Sequence, residues 1–165
     1  MGDTKYKNDL TFDERVMMAI VRAAENFKRT HSTIFKDYGL SFPQYNILRV
    51  LEASEMGQNK ISVVGNIMLV PSANMTGLAK RMEQSGFLVR KSDPKDERVK
   101  LLCISEKGRK ILKGIEKKKD KSIDILLKDF NQDQKAELLK AIKKIIKATT
   151  DLQKDLKGKL KSVVS

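Results

Sequence analysis

The chain has 165 residues, with 34 Lys or Arg against 21 Asp or Glu, a formal charge of +13 at pH 7. That length suits a single domain, 1–165, able to bury roughly two thirds of its unfolded surface unaided, and the charge points to polyanions, either nucleic acid or an anionic membrane surface. The single Cys and single His exclude an internal disulfide, fit a reducing, cytoplasmic setting and make nucleophile–base pairs and metal clusters scarce, so neither an enzyme nor a metal protein is expected.

Residues 1–10 are polar, carry no signal-peptide core and are expected to be disordered. Thr11-Phe-Asp-Glu14 reads as a capping box, so a helix should begin there. Val16, Ile20, Phe27 and Ile34 give it an apolar stripe reaching about Lys36, and Gly39 ends it. Ser41-x-x-Gln44 is a second box, opening a helix to about Ala53 with Pro43 tolerated in its first turn. Residues 56–60 read as a loop. A short helix over 62–68 and a basic helix over 72–85 are separated by Leu69-Val70-Pro71, the tight turn of a helix-turn-helix. In the basic helix Met75, Leu78, Ala79 and Met82 share one face, leaving Thr76, Lys80, Arg81 and Gln84 on another.

After Gly86, residues 87–91 and 99–104 read as strands around a polar tip, 92–98, that ends in Arg98. Ser105 starts a long helix whose middle, 116–121, is charged and solvated. Asn131-x-x-Gln134 caps a last helix carrying Leu138, Leu139, Ile142, Ile145, Ile146, Leu152 and Leu156. The fold expected is mainly α with a small β-hairpin wing: a winged helix-turn-helix lobe over 40–104 and a helical dimerisation region over 11–38 and 105–158. The outer helices carry more apolar surface than so small a lobe covers, which favours a two-fold homodimer; a monomeric bundle is the alternative.

Three stretches carry a family resemblance. SANMTGLAKRMEQSGFLVR resembles the recognition helix of the MarR family of bacterial transcription regulators, DPKDERVKLLCISEKG resembles its wing and the start of the next helix, and LSFPQYNILRVLE resembles its second helix. Together they span about 40–112 in the family's order. The departures are Lys95 and Glu97 in the wing and Gly65 in the third helix.

Thr76 and Lys80, one turn apart, suit base edges and phosphate from one approach. Ser72 and Asn74 lie in the first turn, where backbone N–H groups favour phosphate; Ser72 suits the helix cap as well. Gly77 permits close backbone approach. Arg81 suits either a phosphate or a neighbour of Glu83. Arg98 is the candidate for minor-groove insertion, with Asp96 orienting it as the resemblance implies. Alternatively Asp93 and Asp96 only make the turn and Arg98 forms a surface ion pair. Lys91 and Lys95 add general attraction. Cys103 reads as strand filler, since the oxidant-sensing cysteine of one-cysteine MarR proteins lies in the first helix. The resemblance also implies a pocket for a small phenolic effector, lined by Phe27, His31, Tyr38, Phe42 and Tyr45; equally these are ordinary core residues. No cofactor is expected. The function expected is a sequence-specific regulator of double-stranded DNA, a homodimeric repressor on a palindromic operator in the bacterial cytoplasm. The rival is a Lys-rich architectural protein that coats DNA through charge alone.

Overall fold

The computed structural model describes the backbone of residues 9–164 and the side chains of that span other than Ser72 and 157–164. The expectation for the amino terminus therefore lies, up to residue 8, outside the described residues. Helix α1 (Phe12–Lys36) opens on the expected box: Thr11 N–H donates to Glu14 Oε2 at 2.7 Å and Glu14 N–H to Thr11 Oγ1 at 3.3 Å. The bond from the Thr11 backbone N–H, with the Thr11 hydroxyl second, holds the Glu14 carboxyl below its ordinary range. Helix α2 (Phe42–Glu52) opens on the Ser41/Gln44 box with Pro43 in its first turn, where the missing N–H costs no helical bond.

A 3-10 turn, Glu55–Gly57, leads into strand β1 (Gln58–Lys60). The loop expected over 56–60 is thus corrected in its second half. Gly57, at φ +68, reverses the chain, and β1 pairs with residues more than forty positions ahead. Helix α3 (Ile61–Met68) ends in left-handed Leu69 at φ +54, and α4 (Ser72–Gln84) follows. The cap of α4 is Pro71, without a side-chain bond, so Ser72 is the first helical residue rather than the cap, and its side chain lies outside the described residues. Gly65 has a structural reason: a Cβ there would stand 3.0 Å from Met75 Cγ and 3.3 Å from the Val70 carbonyl oxygen, so glycine lets α3 and α4 cross closely.

Strands β2 (Leu88–Asp93) and β3 (Asp96–Ile104) form the hairpin, and the sheet order is β1-β3-β2, all antiparallel. Asp93 pairs with Asp96 after a register shift, so Pro94 and Lys95 alone make the turn. The tip is therefore shorter than the 92–98 expected, and Arg98 lies inside β3. Helix α5 (Glu106–Leu126) and helix α6 (Gln132–Val164) complete the chain.

The chain divides into two compact units, 1–119 and 120–165. The core of the first draws Ile47, Leu48 and Leu51 from α2, Val64 from α3, Met75, Ala79 and Met82 from α4, and Leu88, Leu102 and Ile104 from the sheet. Phe35 of α1 and Leu112 and Ile115 of α5 close it. Each large side chain so buried contributes about 1.5 to 3 kcal/mol. The start of α5 grips the end of α4. Ser105 Oγ donates to the Gly86 carbonyl at 2.6 Å and accepts from Gly108 N–H at 3.0 Å, while Lys107 Nζ donates to the Ser85 carbonyl at 2.7 Å. In the second unit α6 opens on reciprocal Asn131–Gln134 bonds, both 2.9 Å, and leaves Leu138, Leu139, Ile146, Leu152 and Leu156 exposed.

Candidate nucleic-acid interface

Because Met75, Ala79 and Met82 are pinned in the core, α4 cannot rotate without tearing them out, and its opposite side is fixed toward solvent. Asn74, Thr76, Lys80 and Arg81 are all exposed there. Gly77 is bare: a Cβ would meet nothing nearer than Arg81 Nη1 at 3.6 Å. Backbone can approach a ligand at that point. Arg81 has no ion-pair partner among the described residues, and the nearby carboxylate of Glu83 is engaged elsewhere.

That carboxylate, Glu83, binds Arg90 of β2 through three contacts. Arg90 N–H donates to Glu83 Oε1 at 3.0 Å, and its Nε and Nη2 each lie 2.6 Å from Oε2. The side-chain bond from Arg90, with the backbone bond second, holds the Glu83 carboxyl below its ordinary range. With Oε2 taking both guanidinium nitrogens and Oε1 the backbone N–H, these charge-assisted bonds hold Arg90 by its side chain and its backbone together. They make the angle between α4 and the wing a built feature. Sequence reasoning missed it; the only signal was a Glu seven positions ahead of an Arg at the start of a strand.

In the wing, Asp93 Oδ1 accepts Lys95 N–H at 2.9 Å and Asp96 Oδ1 accepts Arg98 N–H at 3.1 Å. Asp96 therefore orients the backbone of Arg98, not its guanidinium. The two aspartates flank the Pro94–Lys95 turn and brace it by accepting backbone N–H groups, and Arg98 is exposed without an ion-pair partner among the described residues. Lys100 Nζ donates to Ser92 Oγ at 2.8 Å across the hairpin, and Lys60 Nζ stands 3.8 Å from Asp93 Oδ2, tying β1 to the wing. Lys91 and Lys95 are exposed. Cys103 is half-buried, with its thiol 3.4 Å from Gln58 Oε1 across the β1–β3 ladder.

The aromatic residues fall into two places. Phe27 lies 3.9 Å from His31 and 6.1 Å from Phe42, centroid to centroid, and Phe35, absent from the expected set, bridges to Tyr45 at 3.9 Å. Tyr38 stands apart: its hydroxyl donates to the Gly114 carbonyl at 3.0 Å, with the Lys118 ammonium over its ring. His31 Nδ1 is 2.9 Å from the Phe27 carbonyl oxygen, and its buried Nε2 has no hydrogen-bond partner among the described residues. An open groove lined by Lys28, Ser32, Lys36 and the first residues of α2 runs alongside.

The profile of the family described as "Transcriptional regulator SarA/Rot" matches residues 29–115, a span containing α2 to the first turns of α5. TtmR, an HTH-type transcriptional regulator of Methylorubrum extorquens, is 30% identical over 66% of this chain and 55% of its own length, so the chain spans little more than half of that relative. Among solved structures, the MarR family regulator AbsC of Streptomyces coelicolor superposes with a TM-score of 0.79 at 19% identity, over 88% of this chain and 99% of that one. Sco3205, a MarR family regulator of the same organism solved in complex with DNA, gives 0.74 at 17% identity, over 86% and 90%. The helix-turn-helix, its hairpin and the matched sequence agree: the chain belongs to the SarA/Rot family of transcriptional regulators and shares the winged-helix fold of the MarR family regulators on which it superposes.

Proposed function

We propose that the chain binds duplex DNA as a homodimer, each copy laying α4 in the major groove and its hairpin against the adjacent minor groove of a two-fold symmetric operator, and that it represses from that position in the bacterial cytoplasm. The observation that carries this reading is the solvent face of α4, where Asn74, Thr76, Lys80 and Arg81 stand around bare Gly77. Thr76 reads a base edge, Lys80 and Arg81 take phosphates, and Arg98 enters the minor groove. Self-association draws support from apolar surface on single helices. Phe12, Val16, Met17, Met18 and Val21 of α1 are exposed, as are five large apolar side chains of α6. Water rarely keeps so much of it.

The test is the ratio of affinities for a palindrome upstream of a regulated gene and for a scrambled duplex, measured at one salt concentration. A regulator gives about 10³ or more. A ratio near one would favour the architectural coat, and negligible affinity for either duplex would favour a protein-interaction module.

One observation favours effector control. The buried, unpartnered Nε2 of His31, in a cluster with Phe27 and Phe42 beside a groove edged by Lys28 and Lys36, suits an aromatic ring bearing a hydroxyl or carboxylate. A small phenolic acid should then release operator DNA from the parent protein. It should not release it from His31→Phe, and equal release from both would remove His31 from the effector site.

A further inference from the structure

From Leu138 to Thr150 the chain carries four lysines and no acidic residue. All thirteen positions lie on α6, and Leu138, Ile142, Ile145, Thr149, Leu152 and Leu156 repeat at steps of four and three along one side of it. Such a stripe is a seam for another apolar surface. Lys140, Lys143, Lys144 and Lys147 fall on the opposite side, so whatever covers the seam leaves them outward. They border a shallow groove floored by Ala136 and Leu139.

None of the four has an ion-pair partner among the described residues. Some basic side chains elsewhere have one, such as Lys60 with Asp93, Arg109 with Glu52 and Lys118 with Asp37, while others, Arg81 and Arg98 among them, do not; what distinguishes these four is that no acidic residue lies among them. Within the ladder every i,i+3 and i,i+4 neighbour of a lysine is another lysine or is uncharged, apart from Glu137 and Asp151 at its two ends. Like charges so placed repel and weaken the helix. A solvated surface does not require them to be gathered, and an external polyanion would compensate them.

We propose that this ladder is a second DNA-contacting surface that takes the sugar–phosphate backbone of a duplex without reading its sequence. Four charges spread over about 10 Å of helix match a duplex that presents about six phosphates in that length. The surface is separate in the chain from α4 and the hairpin. It does not depend on the operator reading, and it supplies non-specific attraction that the recognition elements then refine.

The experiment measures binding of the full chain to a duplex lacking any operator, as a function of salt. Compared are the parent, Lys140→Gln/Lys143→Gln/Lys144→Gln/Lys147→Gln, and a control of equal charge loss on α5, Lys110→Gln/Lys113→Gln/Lys117→Gln/Lys121→Gln. Each phosphate contact contributes about 0.9 to the slope of log K against log salt. The α6 variant should therefore lose about 3 to 4 slope units per bound chain, and the control less than one. Glutamine keeps helix propensity close to that of lysine, and Lys140→Gln/Lys144→Gln with Lys143→Gln/Lys147→Gln, each expected to lose half as much, guards against a misfolded quadruple variant. Equal slopes in α6 variant and control would overturn the proposal. So would an α6 variant that keeps the parent's DNA slope while losing sedimentation with phosphatidylserine vesicles, which would reassign the ladder to anionic lipid. Operator preference, measured in parallel as a ratio, should survive in the α6 variant; its absence from the parent would sink the operator reading while leaving this one standing.

Discussion

Gly108→Ala places a single methyl group where α5 begins and tests how closely that start packs against Phe87, Ile104 and Leu48. A Cβ at this position would stand 2.4 Å from the Phe87 carbonyl oxygen, 2.9 Å from Ile104 Cγ1 and 3.3 Å from Leu48 Cδ2. The first neighbour is backbone and cannot rotate away. Alanine gains about 1 kcal/mol of helix propensity over glycine. Against this, relieving the clash by shifting packed backbone costs about 1 to 3 kcal/mol, and moving the Phe87 carbonyl weakens its 3.1 Å bond from Ser105 N–H, worth about 1 kcal/mol. The balance is a loss of about 1 to 3 kcal/mol. Urea denaturation followed by far-ultraviolet circular dichroism reads it directly, as a lower midpoint at unchanged slope. Gly114→Ala on the same helix is the comparison: its nearest neighbour is the Tyr38 ring at 3.3 Å, a side chain that can yield. It should be near neutral. A Gly108→Ala protein as stable as the parent would show that the α5 start is looser than these distances state.

Gly77→Ala should act in the opposite sense on the two readouts. It meets only open space and the end of Arg81, so stability should rise by up to about 1 kcal/mol while operator affinity falls, and unchanged affinity would mean that no backbone approaches there. Glu83→Gln removes the charge of a carboxylate whose folded-state pKa lies below its ordinary value. The stabilisation from Arg90 is therefore full above the ordinary range and disappears as pH falls through the lowered folded value. Thermal denaturation should show the variant melting below the parent at pH 7, with the gap closing in acid; a gap independent of pH would assign the effect to packing. Arg98→Ala should leave the melting temperature unchanged, because the side chain is exposed. It should cost a dimer about 2 to 6 kcal/mol of operator binding if each copy contributes ~1 to 3, most on A·T-rich flanks. Parent-like affinity and flank preference by titration would make the wing a purely structural hairpin.

Local chemistry was legible in the sequence and long-range geometry was not. The boxes at Thr11, Ser41 and Asn131 announce three helices because cap and partner lie three residues apart. The solvent face of α4 follows from the spacing of Met75, Ala79 and Met82. Strand β1 is only three residues long and finds its partner forty-five positions away, so no periodicity marks it. Arg98 seemed to end the tip because two aspartates and a proline read as a long turn, whereas a register shift at Ser92 and Asp93 folds part of that segment into strand. Pro71 displaced Ser72 from the cap of α4, since a proline's fixed φ makes it a ready flanking residue even without a capping oxygen. The Glu83–Arg90 clamp and the need for Gly65 and Gly108 arise from how close two elements come, which a linear pattern does not encode.

The order β1-β3-β2 has a consequence for assembly of the lobe in time. The β2–β3 ladder closes across a two-residue turn and can form within microseconds, but β1 must close a loop of more than forty residues before it gains a single ladder bond. Strand β3 therefore waits with one edge bare until α2 and α3 have arrived. That edge includes Leu101, Leu102 and Cys103, an apolar run able to pair with another chain. Nascent or heat-stressed protein should misassemble along this edge first, and backbone amides of β1 should exchange with solvent deuterium sooner than those facing β2.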